Sequence, residues 1–314
     1  KAVVSASKKM IATHLNELYD LQQLHHVPFL YEGACCASIP IIRNLEEYYD
    51  NDLLHSIEGI FNGSTNYILT KIFDEDKSFD IALHEAQEKG FAETDPRMDI
   101  EGHDPKFKLC ILLLHAFGIF VKPEHIFNFG IDRLNDFDIN YAREKHCRIK
   151  LIAKCRKVGN AIYAYVFPHF VNGNSQLTNI HNEYNGVLVE SAFSDRQFFT
   201  GKGAGSTPTG SAVLSDISAL SYNYRYEYRK ISQQLAAQKA LDLQIQDTLL
   251  LNNNVTLKLF VRYSDARDVP TSTFDEIIEK YESIEYKYII GTIQLDKIIG
   301  ADWVKNRAIN LIAL

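Results

Sequence analysis

No run of residues reaches the roughly 18 consecutive apolar positions that a membrane-spanning helix needs, and the opening residues do not read as a signal peptide. Positive charge is not in excess. Lys and Arg number 33 against 40 Asp and Glu, for a net charge of -7 and a pI near 5.9. That balance argues against nucleic acid or an anionic membrane as partner, since both demand basic patches. Cysteine is scarce as well: Cys35, Cys36, Cys110, Cys147 and Cys155 form an odd set. There is no C-x-x-C pair and no Cys/His cluster at zinc spacing. The expectation is free, buried thiols in a reducing cytoplasm. Internal repeats and low-complexity tracts are missing too.

What is present is an ordinary globular composition, 46% hydrophobic and 23% charged over 314 residues, enough for two domains. Val3 to Ala6 reads as a strand, Lys8 to Leu24 as a helix and Val27 to Tyr31 as a second strand. This strand–helix–strand rhythm is that of a parallel α/β sheet, but too short for a whole nucleotide-binding domain. With no Met at the start, the numbering is expected to begin inside that domain. Ser38 is expected to cap a helix running from Pro40 to about Tyr49. Ile57 to Phe61 predicts a strand ending at Asn62-Gly63. Helices are predicted over Ser64–Phe73, Phe79–Lys89 and Pro105–Phe117, the last with Asp104 as N-cap. Val158-Gly159-Asn160 predicts a hairpin turn between two strands within Cys147–Phe170, and Asn185-Gly186 another turn. A strand over Arg196–Thr200 leads into Gly201 to Gly205, and helix resumes near Pro208 through Asp216. Tyr222 to Asn254 is polar and helix-permissive, a linker. Beyond it come a strand over Val255–Tyr263, a helix over Thr273–Tyr281 and a strand over Tyr286–Leu295.

Four places could carry chemistry. Glu93 to Asp104 holds five acids in twelve residues, and Asp104 stands four before Lys108, so the two are neighbours on a helix face. Such a pair in a partly buried site tunes both protonation states, and the lysine can protonate an oxygen as its carbon accepts a hydride. Equally, the pair could be an N-cap with a surface ion-pair partner of small energetic weight. Ser7-Lys8-Lys9 follows the first strand, at the sheet edge where α/β folds bind ligands, although a helix-start lysine facing water fits as well. Gly201 to Gly210 lets backbone approach a phosphate, or is simply a tight connector. Glu32 to Ile39, small residues beside one carboxylate, could ring a cation with oxygens or pack closely as a turn.

The order and spacing of these pieces resemble the homoserine dehydrogenase family. The matching stretches are Val4-Ser5-Ala6-Ser7-Lys8; Tyr31-Glu32-Gly33-Ala34 through Ile39-Pro40-Ile41-Ile42-Arg43; Ile57 to Leu69; and Ala86 to Pro96 with Asp99, Gly102, Asp104 and Lys108. The last is Gly203-Ala204-Gly205 with Pro208-Thr209 and Ser211-Ala212. Together they span roughly residues 3 to 220. The resemblance implies an NAD- or NADP-dependent interconversion of L-aspartate 4-semialdehyde and L-homoserine, in threonine, methionine and isoleucine biosynthesis. It makes Lys108 and Lys8 catalytic, with Asp104 orienting Lys108. Glu93, Asp99, Ser64 and Phe91 become substrate-pocket residues, and Ser7, Lys8, Gly203, Ala204 and Gly205 cofactor contacts. A sodium or potassium ion would sit at Glu32 and the carbonyls of Cys35, Ala37 and Ile39. Ser7 stands where the family usually has Asn, Ser64 where Thr is common and Phe91 where Tyr is common.

The implied fold class is α/β. Residues 1-38 form the end of a partial Rossmann-type domain whose G-x-G-x-x-G half would lie upstream of Lys1. Residues 39-195 form an α+β catalytic and dimerisation domain, 196-225 a return segment and 226-254 a linker. Residues 255-314 form a small α+β, degenerate ACT-like unit, in which Asp268-Val269-Pro270-Thr271 replaces the usual Asp-x-Pro-Gly turn. A small-molecule substrate, a cytoplasmic location and a homodimer or homotetramer are expected. A contrasting expectation is an inert substrate-binding and dimerisation fragment that needs the upstream half. A hydrolase built on Glu93 and Asp99 is a third, which leaves Lys8 and the glycines unused.

Overall fold

A computed structural model describes residues 1–51, 53–203, 205–240 and 250–314. Strands β1 (Val3–Val4) and β2 (Phe29–Leu30) pair in parallel, as expected. Between them the single expected helix is two, α1 (Lys8–Thr13) and α2 (Leu15–His25). The break coincides with Thr13, whose hydroxyl donates back to the Lys9 carbonyl, a side-chain bond of the kind that bends helices. Helix α3 (Ile41–Glu47) begins later than expected. Pro40 occupies the N-cap position, while the Ser38 hydroxyl donates to the Lys202 carbonyl instead of capping.

Strand β3 (Leu54–Ile60) is followed by Asn62, whose side chain accepts from Thr65 N–H and so caps α4 (Gly63–Glu75). Helices α5 (Phe79–Glu88), α6 (Arg97–Ile100) and α7 (His103–Phe117) follow. Asp104 is not the N-cap of α7. Gly102, at φ 82°, holds that position, and Asp104 lies in the first turn with its carboxylate drawn to side chains instead. The apolar run Leu109 to Leu114 is buried on every side, as a helix apolar all round must be. α7 is therefore the central rod of the core.

The remaining elements are β4 (Phe127–Asn128), α8 (Asp136–Glu144), β5 (Arg148–Val158), β6 (Ala161–Val171), β7 (Tyr184–Ser191) and β8 (Asp195–Lys202), then α9 (Ser206–Leu220) and α10 (Arg229–Ala240). The chain closes with β9 (Leu250–Leu251), β10 (Thr256–Tyr263), β11 (Glu276–Glu282), β12 (Lys287–Gln294), α11 (Asp302–Lys305) and β13 (Asn310–Ala313). The hairpin at Gly159-Asn160 forms as expected. Asn185-Gly186, by contrast, is no turn but part of β7, where Asn185 pairs with β8 and Gly186 with both β3 and β8. A Cβ on Gly59 of β3 would stand 2.2 Å from the Gly186 carbonyl oxygen, so the two glycines let these strands pass closely.

The main sheet runs β11-β12-β10-β13-β6-β5-β3-β7-β8, with β4 and β9 also on β6. Thr273 to Tyr281, expected as helix, is largely the edge strand β11. The strand–helix–strand order on which an ACT-like unit rested is therefore not formed there. Local pattern was ambiguous in Glu276–Glu282, and pairing with β12 decided it. Tyr226, Tyr228 and Ile231, within the stretch read as a linker, are buried. Among the described residues no helix is long and apolar enough to cross a membrane.

Candidate active site

Three segments converge on one carboxylate. α7 brings Asp104, which is 2% exposed, and Lys108, which is 5% exposed. The start of α1 brings Lys8, and the end of β3 brings Asn62. Lys108 Nζ lies 2.7 Å from Asp104 Oδ2, and Lys8 Nζ lies 2.7 Å from Oδ1. The Asn62 amide donates to Asp104 Oδ2 at 2.9 Å and to Asp99 Oδ1 at 2.7 Å. Lys108 Nζ also donates to the Phe61 carbonyl at 2.5 Å. An ammonium has three N–H donors, so Lys108 keeps one free of these bonds.

Burial alone would raise the pKa of Asp104. Lys108, Lys8 and the Asn62 amide outweigh it and hold the carboxyl well below the usual range. Burial likewise pushes Lys108 down, and the facing Asp104 carboxylate reverses the sign, so its pKa is raised. Asp99 is pushed up by burial and by the neighbouring Asp104 charge, against the Asn62 hydrogen bond. Two ammonium groups face the Asp104 carboxylate, with Asp99 beside it on the shared Asn62 amide. The remaining N–H of the buried Lys108 can stabilise an oxygen that becomes negative, in a region largely shielded from water.

Ser64 and Phe91 come together: the Ser64 hydroxyl donates to the Phe91 carbonyl, and the Phe91 ring packs 5.0 Å from that of Tyr67. Glu93 does not join the carboxylate cluster. It is exposed, and its backbone carbonyl accepts from the Gln87 amide. Asn62 was not among the residues singled out from the sequence. Its signal was there, because Asn at the junction of a strand and a helix is a strong N-cap candidate. Its Oδ1 caps α4, which leaves its Nδ2 aimed at the acids.

The glycine-rich segment packs against Ser38, Ile39 and Asn185. A Cβ on Gly203 would fall 1.9 Å from Asn185 Oδ1, so only glycine fits there, and Gly205 has φ 112°. Ala204 lies outside the described residues. Ser7 is exposed at the start of α1. Glu32 is 3% exposed, and its two oxygens accept from the N–H groups of Ile42 and Arg43 at 2.9 Å. Burial still pushes it up to about 8. Cys36 and Ala37 beside it both have left-handed backbones, at φ 53° and 43°. All five cysteines are free thiols. Burial pushes Cys36 up to about 12, which makes it a poor nucleophile.

The homoserine dehydrogenase family model matches residues 40–218. The homoserine dehydrogenase of Neisseria gonorrhoeae is 35% identical over 271 residues, covering 86% of this chain and 61% of the relative. That of Lactococcus lactis is 36% identical over 217 residues, covering 69% and 51%. The chain thus spans between half and two thirds of the length of these curated relatives. The crystal structure of a homoserine dehydrogenase from Thiobacillus denitrificans superposes with a TM-score of 0.79 at 30% identity, over 100% of this chain and 76% of that one. A hyperthermophilic archaeal homoserine dehydrogenase in complex with NADPH gives a TM-score of 0.62 at 27% identity, over 72% and 65%.

Proposed function

The chain belongs to the homoserine dehydrogenase family, and from that membership we propose that the full-length protein interconverts L-aspartate 4-semialdehyde and L-homoserine with NAD or NADP. The observation that carries the reading is the Lys8–Asp104–Lys108 cluster. An aldehyde oxygen lodged against the free N–H of Lys108 meets a donor already fixed by Asp104 and the Phe61 carbonyl. As that oxygen becomes negative, the ammonium stabilises it and then supplies the proton, with Lys8 on the solvent side to replenish it. In the oxidative direction the same groups take the proton from the alcohol. A nicotinamide dinucleotide, when bound, supplies or takes up the hydride.

Ser7, Lys8 and the turn at Gly203 and Gly205 would hold that cofactor, with the turn's backbone fixed where Gly203 closes on the Asn185 side chain. Ser64, Phe91 and Asp99 would line the substrate pocket. Glu93, at its rim, would draw the substrate's amino group from solvent. Glu32 and the carbonyls of Cys35, Ala37 and Ile39 would hold a monovalent cation. A buried carboxylate beside two consecutive left-handed residues favours such a site. In Glu32→Gln, potassium should no longer raise activity at constant ionic strength. A homodimer or homotetramer completes the reading and is checked by sedimentation. The C-terminal strands, expected as a degenerate ACT-like unit, are better read as a buttress. Strand β13 pairs with β6, and Arg262 meets the buried Asp138 at 2.8 Å.

The direct test is absorbance of NADH and NADPH formed by the full-length protein with L-homoserine and potassium. Turnover with at least one cofactor is expected. A folded, cofactor-saturated protein with no turnover overturns the reading.

A further inference from the structure

His115 sits on α7, seven residues past Lys108 and eleven past Asp104, so all three share one face of that helix. Its ring is 0% exposed. Nδ1 lies 2.5 Å from Glu46 Oε1 of α3, and Nε2 lies 2.8 Å from the hydroxyl of Tyr31 at the end of β2. The Tyr31 hydroxyl is 3.1 Å from that of Tyr228, which in turn accepts from the Gln22 amide of α2 at 3.0 Å. The second Glu46 oxygen accepts from the N–H groups of Glu227 and Tyr228, each at 3.0 Å. The Tyr31 N–H donates to the Tyr226 hydroxyl at 3.2 Å.

Placing the ring proton on Nδ1, opposite the carboxylate, makes Nε2 the acceptor. Tyr31 then donates to His115, and its oxygen accepts from Tyr228. Gln22, Tyr228, Tyr31, His115 and Glu46 thus form one directional chain with each link satisfied. The chain meets α7 at His115, seven residues beyond Lys108, and joins α2, β2, α3 and the 226–228 segment to the central helix. The chemistry needs such a joint. Lys8 is borne by the short parallel unit and Lys108 by α7, so the span between the two ammonium groups depends on how α7 sits against that unit. One end of α7 is tied to α1 by the Lys8–Asp104 ion pair, which lies within the proposed catalytic cluster. The other end is tied by the chain at His115, which takes no part in the reaction.

We propose that Tyr31, His115 and Glu46 are positioning residues, a latch that fixes α7 against the β1–α1–β2 unit so that Lys8 and Lys108 straddle Asp104. The inference rests on the functional reading above. In the full-length protein Tyr31→Phe keeps the ring and removes one hydroxyl. It is expected to lower kcat about tenfold, since small misplacements of catalytic groups are costly. The KM for homoserine should change less than about twofold, at unchanged active-site concentration. The decisive readout is a double-mutant cycle with Lys8→Ala. If the latch acts by aligning Lys8, the Tyr31→Phe effect on kcat should largely vanish in the Lys8→Ala background. Additive effects, or a loss that merely follows the fraction of folded protein, overturn the inference. Should Tyr31→Phe fail to fold, Tyr228→Phe removes the next hydroxyl and is put through the same cycle, with an expected loss of about twofold to threefold. An inactive wild type would sink the dehydrogenase reading and the latch with it, whereas an active wild type with an additive cycle sinks the latch alone.

Discussion

Among the described residues two lysines are almost wholly buried, and they behave in opposite ways. Lys108 on α7 is 5% exposed and Lys150 on β5 is 2% exposed. Lys108 faces the Asp104 carboxylate, and its pKa is raised. Lys150 donates only to neutral oxygens, Asn66 Oδ1 at 2.8 Å and the Ile180 carbonyl at 2.5 Å. Burial, with help from the nearby Arg148 charge, pushes it down to about 7. Desolvation penalises both ammonium groups, so the sign is decided by whether a carboxylate stands opposite. Lys108 is thereby kept charged, the state that the proposed role at a developing oxyanion requires. Lys150, with Asn66 reaching on to the carbonyls of Ile180, Asn182 and Tyr184, fastens the 180–184 segment to β5 and α4.

The comparison breaks most readily at Lys108. Lys108→Ala in the full-length protein is expected to lower kcat for homoserine oxidation by a factor of roughly 100 or more, and near-normal steady-state turnover would remove this residue from the mechanism. Asp104→Asn asks whether the carboxylate sets the sign. Without it the burial penalty on Lys108 is unopposed, so its pKa should fall. The pH–rate profile should shift to lower pH, with kcat down by about 10- to 100-fold; an unshifted profile would mean that Asp104 does not govern Lys108. Asn62→Ala removes the amide shared by Asp99 and Asp104, and a drop of about tenfold is expected, read from kcat/KM. Lys150→Met should leave kcat within about twofold while changing the pH dependence of Tm. Folded Lys150 loses its proton near pH 7, and an unfolded lysine near 10.4. Between those values the unfolded chain binds more protons, so the wild type gains stability as pH rises, by at most about 1.4 kcal/mol per unit. Below pH 7 the full penalty stands. The wild-type Tm should therefore climb relative to Lys150→Met between pH 7 and 9, and a gap that stays constant would show that Lys150 is charged throughout.

Much of the site is legible in the sequence. Asp104 and Lys108 stand four apart in a helical stretch, and that spacing predicts their contact. Lys8 follows a strand at the edge where α/β sheets bind ligands. That Lys8 reaches the same carboxylate is a contact across 96 positions, which no local pattern encodes. Asn62 shows a related limit, since its N-cap role is local but the target of its Nδ2 is not. Lys150 was invisible for a different reason. In Arg148-Ile149-Lys150-Leu151 the alternation gives Lys150 to the polar face of β5, and only the packing of α4 and the 176–180 turn over that face buries it.

By itself the sequence determined the short-range features. These are the helical periodicity of α4, α5 and α7, the hairpin at Gly159-Asn160 and the family motifs with their spacing. Each depends on backbone conformation and side chains a few residues apart, and such preferences are fixed locally. Tertiary structure decided the rest. It made Glu276–Glu282 a strand by pairing it with β12, drew Asn185-Gly186 into β7, and moved Asp104 from a helix cap to the centre of a charged cluster. It also gave Lys108 and Lys150 opposite electrostatic fates. Pairing partners, solvent exclusion and counter-charge come from segments distant in the chain, so those outcomes exist only once the chain has folded.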